Sequence, residues 1–257
     1  MTTLGFMGLG TMAGAIINGL HSAAPTINCL GYDPNQSNTP VRIVSIDALC
    51  QQSDCLVLCM KPTDIPHALN SLPSNHPPLI SVAAGVPLSH YPKTVPVCRV
   101  MPNLAVNIHA GVSALCFNAT SDTAFQTLVT RIFDTLGLTV TLTDEDQMHS
   151  ITALSGSGPA FFYRIIQAFA TAGMQSGLSE STALSLVTHT ALGAAKLIQN
   201  HDADSLSKLD TMINSVCSPG GTTAAGIQAF DTTNIANHLH TVIQAARHRS
   251  KELGEQP

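Results

Sequence analysis

A glycine-rich turn near the amino terminus constrains the fold more than any other feature of this 257-residue sequence. The segment "TLGFMGLGTMAGAIINGL" places Gly8, Gly10 and Ala13 as G-x-G-x-x-A between a β-rich run and an apolar-periodic helix. In such a turn the first glycine permits a tight bend, the second lets the backbone approach a pyrophosphate, and the alanine keeps the helix close to the sheet. We therefore predict a dinucleotide site, the alternative being a plain tight turn. The residues expected to contact the cofactor here are Met7, Gly8, Leu9, Gly10, Thr11 and Met12.

An acidic residue follows the second predicted strand. Asp33 in "GYDPN" stands where a carboxylate usually accepts a hydrogen bond from the adenosine ribose 2′-hydroxyl. The sequence offers no arginine to pair with a 2′-phosphate before Arg42. Taken alone, this pattern favours NADH over NADPH. The alternative is that Asp33 only forms an Asx turn with its own backbone.

The two halves of the chain differ in their pattern of apolar residues. The first half alternates short β-rich runs with connecting segments, and several runs are apolar on both faces, which is typical of a parallel sheet covered on both sides. From Asp144 onward, apolar residues recur at helical spacing. We predict an α/β fold, with an N-terminal Rossmann-type doubly wound sheet over residues 1–146 and an all-helical C-terminal domain over 147–257.

Composition limits what the chain can bind. Only 11% of the residues are Asp, Glu, Lys or Arg, against roughly 25% in an ordinary soluble protein. This low charge density predicts an oligomer in which much surface is buried between subunits. The net charge of -5 argues against a nucleic-acid partner, and no run approaches the ~20 apolar residues that span a bilayer.

The cysteines and histidines indicate a reduced, metal-free protein. Seven cysteines occur without a C-x-x-C pair, which fits reduced thiols used as small hydrophobic side chains. The eleven histidines lack metal-ligand spacing, so no metal site is expected. The start "MTTLGFMGLG" has no basic residues before its apolar run and is interpreted as a strand, not a signal peptide. The cytoplasm is the expected compartment.

Two loops interrupt the helices of the second half. "VCSPGGTTAAGI" (216–227) opens a helix with unpaired backbone N–H groups at the positive end of the helix dipole, an arrangement that can bind an anion without arginine. The alternative is a glycine-rich helix C-cap. "SGSGP" (155–159) is expected to start a long helix, with Pro159 in its first turn and Ser157 as its cap.

The two loops, in "LSGSGPAFFYRIIQAFATAGMQSGLS" (154–179) and "VCSPGGTTAAGI", resemble the motifs of pyrroline-5-carboxylate reductases. "LCMKP" (58–62), "SVAAGV" (81–86), "RVMPN" (99–103) and "RSKEL" (249–253) match the same family in order. The resemblance implies a Rossmann domain, a helical domain interleaved with that of a second subunit, and NADPH or NADH as cofactor. It also implies hydride transfer to a cyclic C=N bond, giving proline.

The resemblance assigns roles to further residues. The "SPGGTT" loop would hold the substrate carboxylate, and the hydroxyl of Thr223 would lie near the ring nitrogen, polarising the imine or sharing a proton with it. Met60, Lys61, Ala84 and Asn103 would line the cofactor or the mouth of the site, the alternative for Lys61 being a surface lysine. The predicted substrate residues are Ser218, Gly220, Gly221, Thr222 and Thr223, the last also being the predicted catalytic residue.

Several departures leave alternatives open. Leu104 and Ala105 stand where the family usually has Thr-Pro, and Cys217 replaces a usual Ser or Thr. The substrate could therefore be another cyclic imine. "KLIQN" (196–200) has the Lys-to-Asn spacing of β-hydroxyacid dehydrogenases, although in that family the lysine lies on the first long helix after the Rossmann domain. A non-catalytic protein that binds nucleotide or proline is the third alternative.

Overall fold

The computed structural model describes residues 2–36 and 39–255, which form a β-sheet with flanking helices in the first half and helices in the second. The strands are β1 Thr2–Met7, β2 Ile27–Tyr32, β3 Arg42–Ile43, β4 Cys55–Leu58, β5 Leu79–Ser81, β6 Val97–Met101, β7 Gly111–Phe117 and β8 Gly137–Leu142. The helices are α1 Thr11–Ala23, α2 Ile46–Gln52, α3 Ile65–Asn70, α4 Thr123–Asp134, α5 Gln147–Ile151, α6 Gly158–Gln175, α7 Glu180–Asn200, α8 Leu206–Val216, α9 Thr222–Thr232 and α10 Ile235–Glu255. Short 3-10 turns span Pro62–Asp64, Leu88–His90 and Leu104–Ile108, and a π-helical turn spans Thr152–Gly156.

All eight strands belong to one sheet with the order β3-β2-β1-β4-β5-β6-β7-β8. The chain builds outward from β1 to β3 and then returns to add β4 on the other side of β1. This reversal is the topological switch point of a doubly wound sheet, and ligands bind outside the carboxyl ends of the strands there. The predicted Rossmann-type fold is confirmed.

The sheet is mixed, whereas the sequence pattern predicted a parallel one. The strands from β3 to β6 pair in parallel, but β7 pairs antiparallel to β6, with Cys98 opposite Phe117, and β8 pairs in parallel with β7. The connection between β6 and β7 covers only residues 102–110. A parallel crossover needs a dozen or more residues, so this short connection turns the chain back.

The sheet is covered on both faces, as the apolar runs predicted. Along β4, Cys55 and Val57 belong to the core cluster that contains the α1 side chains, while Leu56 and Leu58 belong to the cluster that contains Leu49 of α2. Successive strand residues point to opposite faces, so this alternation places one core on each side of the sheet.

The chain forms two compact units. The first runs to Pro159 and also includes the chain from Ile243 onward, and the second is Ala160–Val242. The predicted boundary at 146/147 therefore does not coincide with the division by contacts. The reason lies in contacts of α10 with the start of the helical half: Ser250 bonds His149, and Arg247 pairs with Asp146.

The second unit exposes much apolar surface. Among its described residues, the buried hydrophobic side chains are Ala170 and Ala183 alone. Large apolar side chains lie exposed along its helices: Phe162, Tyr163, Phe169, Leu184, Leu186, Leu192, Leu197, Leu206, Val216 and Phe230. A helix of a stable domain normally buries such a stripe against another element. Within the described residues, none of the helices has the length and apolarity to cross a membrane.

Candidate functional site

The glycine-rich turn adopts the conformation that its motif predicts. Gly8 has φ +85, and a Cβ at this position would lie 2.7 Å from the carbonyl oxygen of Cys59. Positive φ and this close approach both require glycine. The amide of Gly8 donates to the carbonyl of Tyr32 (2.9 Å), which joins the turn to the end of β2.

Gly10 leaves the amino end of α1 open. It is the N-cap residue, with φ -73 and no side-chain cap, and a Cβ added to it would meet no atom within 4 Å. The first amides of α1 have no intrahelical acceptor and point toward this open space. The turn therefore fits a diphosphate: backbone donors and a helix amino end face a space that no side chain fills.

Asp33 holds the glycine-rich turn. Its Oδ2 accepts from the amide of Leu9 (2.8 Å), and its Oδ1 accepts from the amide of Asn35 (2.8 Å). The second bond is the Asx turn considered as the alternative for this residue, and the first is an additional contact to the cofactor turn. The two bonds leave acceptor positions on both oxygens, because a carboxylate accepts about four hydrogen bonds.

One cleft brings six of the predicted cofactor residues together. It has a volume of about 630 Å³ and lies beyond the carboxyl ends of β1, β2 and β4. The predicted residues that line it are Met7, Gly8, Gly10, Asp33, Met60 and Lys61. Leu9 instead packs its side chain in the core, Thr11 is exposed on α1, and Met12 packs against the core.

The same cleft has lining residues that the sequence reasoning missed. Gln36 follows the Asx turn, and Asp64, His67 and Ser71 lie along the start, face and end of α3. The spacing of 64, 67 and 71 is that of one helix face, so a helix recognised after Lys61 would have indicated them. Burial raises the pKa of the Cys59 thiol in this cleft to about 12, so it lines the cleft as a neutral group.

Ala84 lies in the turn after β5. Gly85, which follows it, has φ +84, and a Cβ there would lie 2.9 Å from the backbone nitrogen of Gly254. The last turn of α10 therefore packs directly against the turn that carries Ala84. Ala84 and Asn103 are not among the residues that line the cleft of Gly8 and Asp33.

Asn103 is buried, with 7% of its surface exposed, and its side chain bonds other protein groups. Its Oδ1 accepts from the amides of Ala105 and Val112, at 3.2 and 3.4 Å. Its Nδ2 donates to the carbonyl and the hydroxyl of Ser155, both at 3.3 Å. Asn103 thus connects the end of β6 to the "SGSGP" loop, while its contact with cofactor stays a prediction.

The "SGSGP" loop is a π-helical turn. The amide of Ser157 donates to the carbonyl of Thr152 (2.8 Å), a bond across five residues. Pro159 lies in the first turn of α6, as expected. The expectation that Ser157 caps α6 is wrong, because Ser157 has helical dihedrals (φ -83, ψ -14), whereas an N-cap residue is extended. Single π turns inside helices occur frequently at functional sites.

The "SPGGTT" loop in the second unit opens α9 as predicted. Gly220 has φ +68, and the amide of Gly221 donates to the carbonyl of Ser218 (2.9 Å). A Cβ at Gly221 would lie 2.5 Å from the Ser218 hydroxyl and 3.0 Å from the Ser218 carbonyl oxygen, so a larger residue there would displace the Ser218 side chain. Gly221 is the N-cap and supplies no side chain, and Thr222 and Thr223 are exposed at the start of the helix.

The geometry of this loop suits a carboxylate. The first amides of α9 have no intrahelical acceptor, and the helix dipole places positive charge at the same end. The loop therefore offers a group of backbone donors with the Thr222 and Thr223 hydroxyls beside them. Lys196, the residue of the alternative dehydrogenase motif, lies on α7 and not on α6, the first long helix after the sheet.

Comparison with known proteins identifies the family. A family model for pyrroline-5-carboxylate reductase dimerisation matches residues 145–253, and a model for coenzyme F420-dependent NADP oxidoreductases matches residues 3–85. The chain is 32% identical to the pyrroline-5-carboxylate reductase of Pseudomonas aeruginosa over 98% of this chain and 97% of that protein. It is 34% identical to that of Methanosarcina acetivorans over 98% of both chains.

Solved structures agree with these relatives. The Plasmodium falciparum pyrroline carboxylate reductase with NADP bound superposes with a TM-score of 0.88 at 28% identity, and 98% of each chain is covered. The Streptococcus pyogenes enzyme gives a TM-score of 0.86 at 29% identity, covering 97% of this chain and 98% of that one. Because relatives at least 30% identical match nearly the whole chain, this chain belongs to the pyrroline-5-carboxylate reductase family.

Proposed function

We propose that this protein reduces 1-pyrroline-5-carboxylate to L-proline with a nicotinamide cofactor, the last step of proline biosynthesis. The similarity to pyrroline-5-carboxylate reductases over nearly the whole chain carries the proposal. The "SPGGTT" loop supports it, because the start of α9 has no side-chain cap and its first amides are free to bind a carboxylate. The chain is therefore an oxidoreductase acting on a C=N bond.

The cofactor is held by the first unit in this proposal. The open space at Gly10 and the uncapped start of α1 bind the pyrophosphate, and Asp33 binds the adenosine ribose. The backbone of Leu9, Thr11 and Met12 forms the part of the same turn that faces the cofactor. Met60 and Lys61 line the cleft after β4. Ala84 and Asn103 contact the cofactor beyond this cleft. When bound, the reduced nicotinamide supplies the hydride.

The substrate is held by the loop before α9. The amides of Thr222 and Thr223, with the Ser218 hydroxyl, bind the carboxylate, while Gly220 and Gly221, whose amide bonds the Ser218 carbonyl, form the turn that presents these donors. A protonated imine is already electrophilic, so the protein mainly positions the ring and excludes water. Thr223 places its hydroxyl at the ring nitrogen, where it polarises the imine or shares its proton.

The organisation follows the family. We propose a division at 146/147 into a nucleotide domain and a helical dimerisation domain, which the family model that begins at residue 145 supports. The helical domains of two copies pair to form a dimer, and higher oligomers assemble from dimers. All seven cysteines are free, which suits the cytoplasm, where thiols stay reduced.

The direct test is oxidation of NADH and of NADPH by purified protein with 1-pyrroline-5-carboxylate. Consumption of cofactor with equimolar proline formation is the expected result. A folded protein that binds nucleotide but consumes none would contradict the proposal, and other cyclic imines would then identify a substrate shifted by Leu104, Ala105 or Cys217.

Replacing Thr223 with alanine tests its role. Loss of a group that shares a proton in the transition state lowers kcat by about 10²-fold or more, while the NADH dissociation constant stays within about twofold of wild type. Initial rates of NADH oxidation at saturating imine give kcat, and titration of NADH fluorescence gives the dissociation constant. Thr232→Ala is the matched control, because Thr232 lies at the other end of α9 and its hydroxyl bonds the Gln228 carbonyl. Equal losses in the two variants would remove Thr223 from the mechanism.

A further inference from the structure

We propose that the nucleotide cleft discriminates in favour of NADH and against NADPH, and that the carboxylate of Asp33 is the discriminating group. The inference rests on the proposed function, since it concerns the cofactor of that reaction. It goes beyond the relatives, because the solved neighbour from Plasmodium falciparum has NADP bound. Three properties of Asp33 support it: the two hydrogen bonds that hold its carboxylate, the acceptor positions that remain on it, and the charges around it.

Asp33 cannot turn away from the cleft. The amide of Leu9 bonds one carboxylate oxygen and the amide of Asn35 bonds the other, both at 2.8 Å. These two donors belong to different segments, the glycine-rich turn and the loop after β2. A change of χ1 rotamer would break both bonds, and a half-turn about χ2 only exchanges the two oxygens, so the negative charge is held at the wall of the cleft.

The remaining acceptors match a ribose diol. A carboxylate offers about four acceptor positions, and the two backbone amides take one on each oxygen. One position on each oxygen remains, which suits two neighbouring hydroxyl donors, the 2′- and 3′-hydroxyls of NADH. A 2′-phosphate brings only acceptors and a charge of about -1.5 to -2, and it would face a carboxylate of the same sign.

The other charges of the cleft do not compensate. Asp64 adds a second carboxylate, and Lys61 is the one lysine or arginine among the described residues that line the cleft. The sequence holds no lysine or arginine from Asp33 to Val41. Arg42, the next cation, lies in β3 and donates to the Gln52 side chain (2.5 Å). Among the described residues that line the cleft, no arginine is present to neutralise a 2′-phosphate beside Asp33.

Fluorescence titrations of NADH and NADPH, without imine, test the inference on the full-length protein. Wild type is expected to bind NADH about tenfold or more tightly than NADPH, because like charges placed side by side oppose binding strongly. Asp33→Asn removes the charge but keeps a carbonyl oxygen for the Leu9 amide. In this variant the NADPH affinity rises and the preference falls at least about tenfold.

Asp54→Asn is the matched control. Asp54 also accepts a hydrogen bond from a backbone amide, that of Thr3 (2.8 Å), but it precedes β4 and so lies at the opposite edge of the sheet. Removing its charge is expected to leave the ratio of the two dissociation constants unchanged. A shift equal to that of Asp33→Asn would show a general effect of net charge and overturn the inference.

Two further results would overturn it. The first is wild-type protein that binds NADPH more tightly than NADH, in which case Lys61→Met identifies whether Lys61 binds the 2′-phosphate. The second is an Asp33→Asn or Asp33→Ser protein that loses affinity for both cofactors equally, because Asp33 would then only position the turn. Binding is measured without turnover, so an intact NADH preference without imine reduction would contradict the proposed function alone.

Discussion

Single residues decide whether the nucleotide turn can form and whether it can bind, and Gly8 and Gly10 separate these two demands. Gly8 needs both a positive φ and the absence of a Cβ, since a Cβ would lie 2.7 Å from the Cys59 carbonyl oxygen. Gly10 has an ordinary φ of -73 and open space around it. The fold therefore excludes alanine at Gly8, whereas at Gly10 it leaves room for a Cβ.

The two alanine variants are expected to differ in stability, and Gly10→Ala is expected to weaken NADH binding. Gly8→Ala forces an L-residue into the left-handed region and lowers the free energy of unfolding by roughly 2 kcal/mol. Gly10→Ala lowers it by no more than about 1 kcal/mol, the cost of alanine at an N-cap, yet its methyl group enters the proposed pyrophosphate space and weakens NADH binding by about tenfold, or 1.4 kcal/mol. Urea unfolding and NADH titration measure the two effects. If Gly10→Ala binds NADH as wild type does, the pyrophosphate does not lie there.

The sequence predicted these glycines because a local pattern determines them. Gly8, Gly10 and Asp33 each follow a strand at a spacing that the motif specifies. The hydrogen bond from the Leu9 amide to Asp33 joins residues 24 positions apart, so no local pattern indicates it. From the sequence, an Asx turn with the Asn35 amide and a bond to the ribose are two alternative uses of the Asp33 carboxylate. The sequence presented the two roles of Asp33 as alternatives, whereas the structure shows that the turn leaves acceptors for the other role.

At the scale of elements, the π turn between α5 and α6 depends on a side chain from the sheet. Asn103, at the end of β6, bonds the backbone and side chain of Ser155, within the turn, and also the amides of Ala105 and Val112. The four bonds come from three segments. Asn103 therefore ties the end of β6 to the π turn, and loss of its side-chain amide leaves partly buried polar groups without this partner.

Asn103→Ala is expected to lower the free energy of unfolding by about 1–3 kcal/mol, because the partly buried amides of Ala105 and Val112 lose their acceptor. Hydrogen exchange should also become faster at the Ser157 amide, which bonds Thr152 across the π turn. Asn107→Ala, an exposed asparagine of the same loop, is the control and should change stability by no more than about 0.5 kcal/mol. Equal unfolding energies for the two variants would show that Asn103 does not hold the turn.

The elements that the sequence missed depend on contacts between distant residues. Asn103 and Ser155 are 52 positions apart, and no periodicity of "RVMPN" or "SGSGP" indicates that they touch. The reversal at β7 was equally hidden, since an apolar strand has the same composition in either direction. The strands themselves were predicted, because a run buried on both faces is apolar throughout.

At the scale of the whole molecule, the sequence could not place the last helix. Hydrogen bonds of Ser250 to His149 and of Arg247 to Ser150 join residues about 100 positions apart. Burial, with a contribution from the nearby Arg99, lowers the pKa of His149, so its ring favours the neutral form in this contact. The helix α10 lies in the second half of the sequence, but from Ile243 onward its contacts place it in the first unit.

The second unit has too small a core to be stable alone. Ala170 and Ala183 are its buried hydrophobic residues among those described, while Phe169 is 58% exposed and Leu206 is 80% exposed. Burial of such side chains contributes about 1.5–3 kcal/mol each, and the chain gains this only by association. The match to a dimerisation domain over 145–253 indicates that the partner is a second copy. Folding and association should therefore be coupled.

Coupled folding makes thermal stability depend on protein concentration. Each tenfold dilution removes about 1.4 kcal/mol of association free energy from the dimer, which lowers Tm by roughly 1–2 °C because the unfolding entropy of two chains of this size is large. Phe169→Glu places a charge on the exposed apolar face of α6, so it should shift sedimentation toward monomer and lower Tm. Gln175→Glu, on the same helix at an exposed polar position, should do neither. A Tm independent of concentration, with a monomer in sedimentation, would mean that the apolar helices are stable without a second copy.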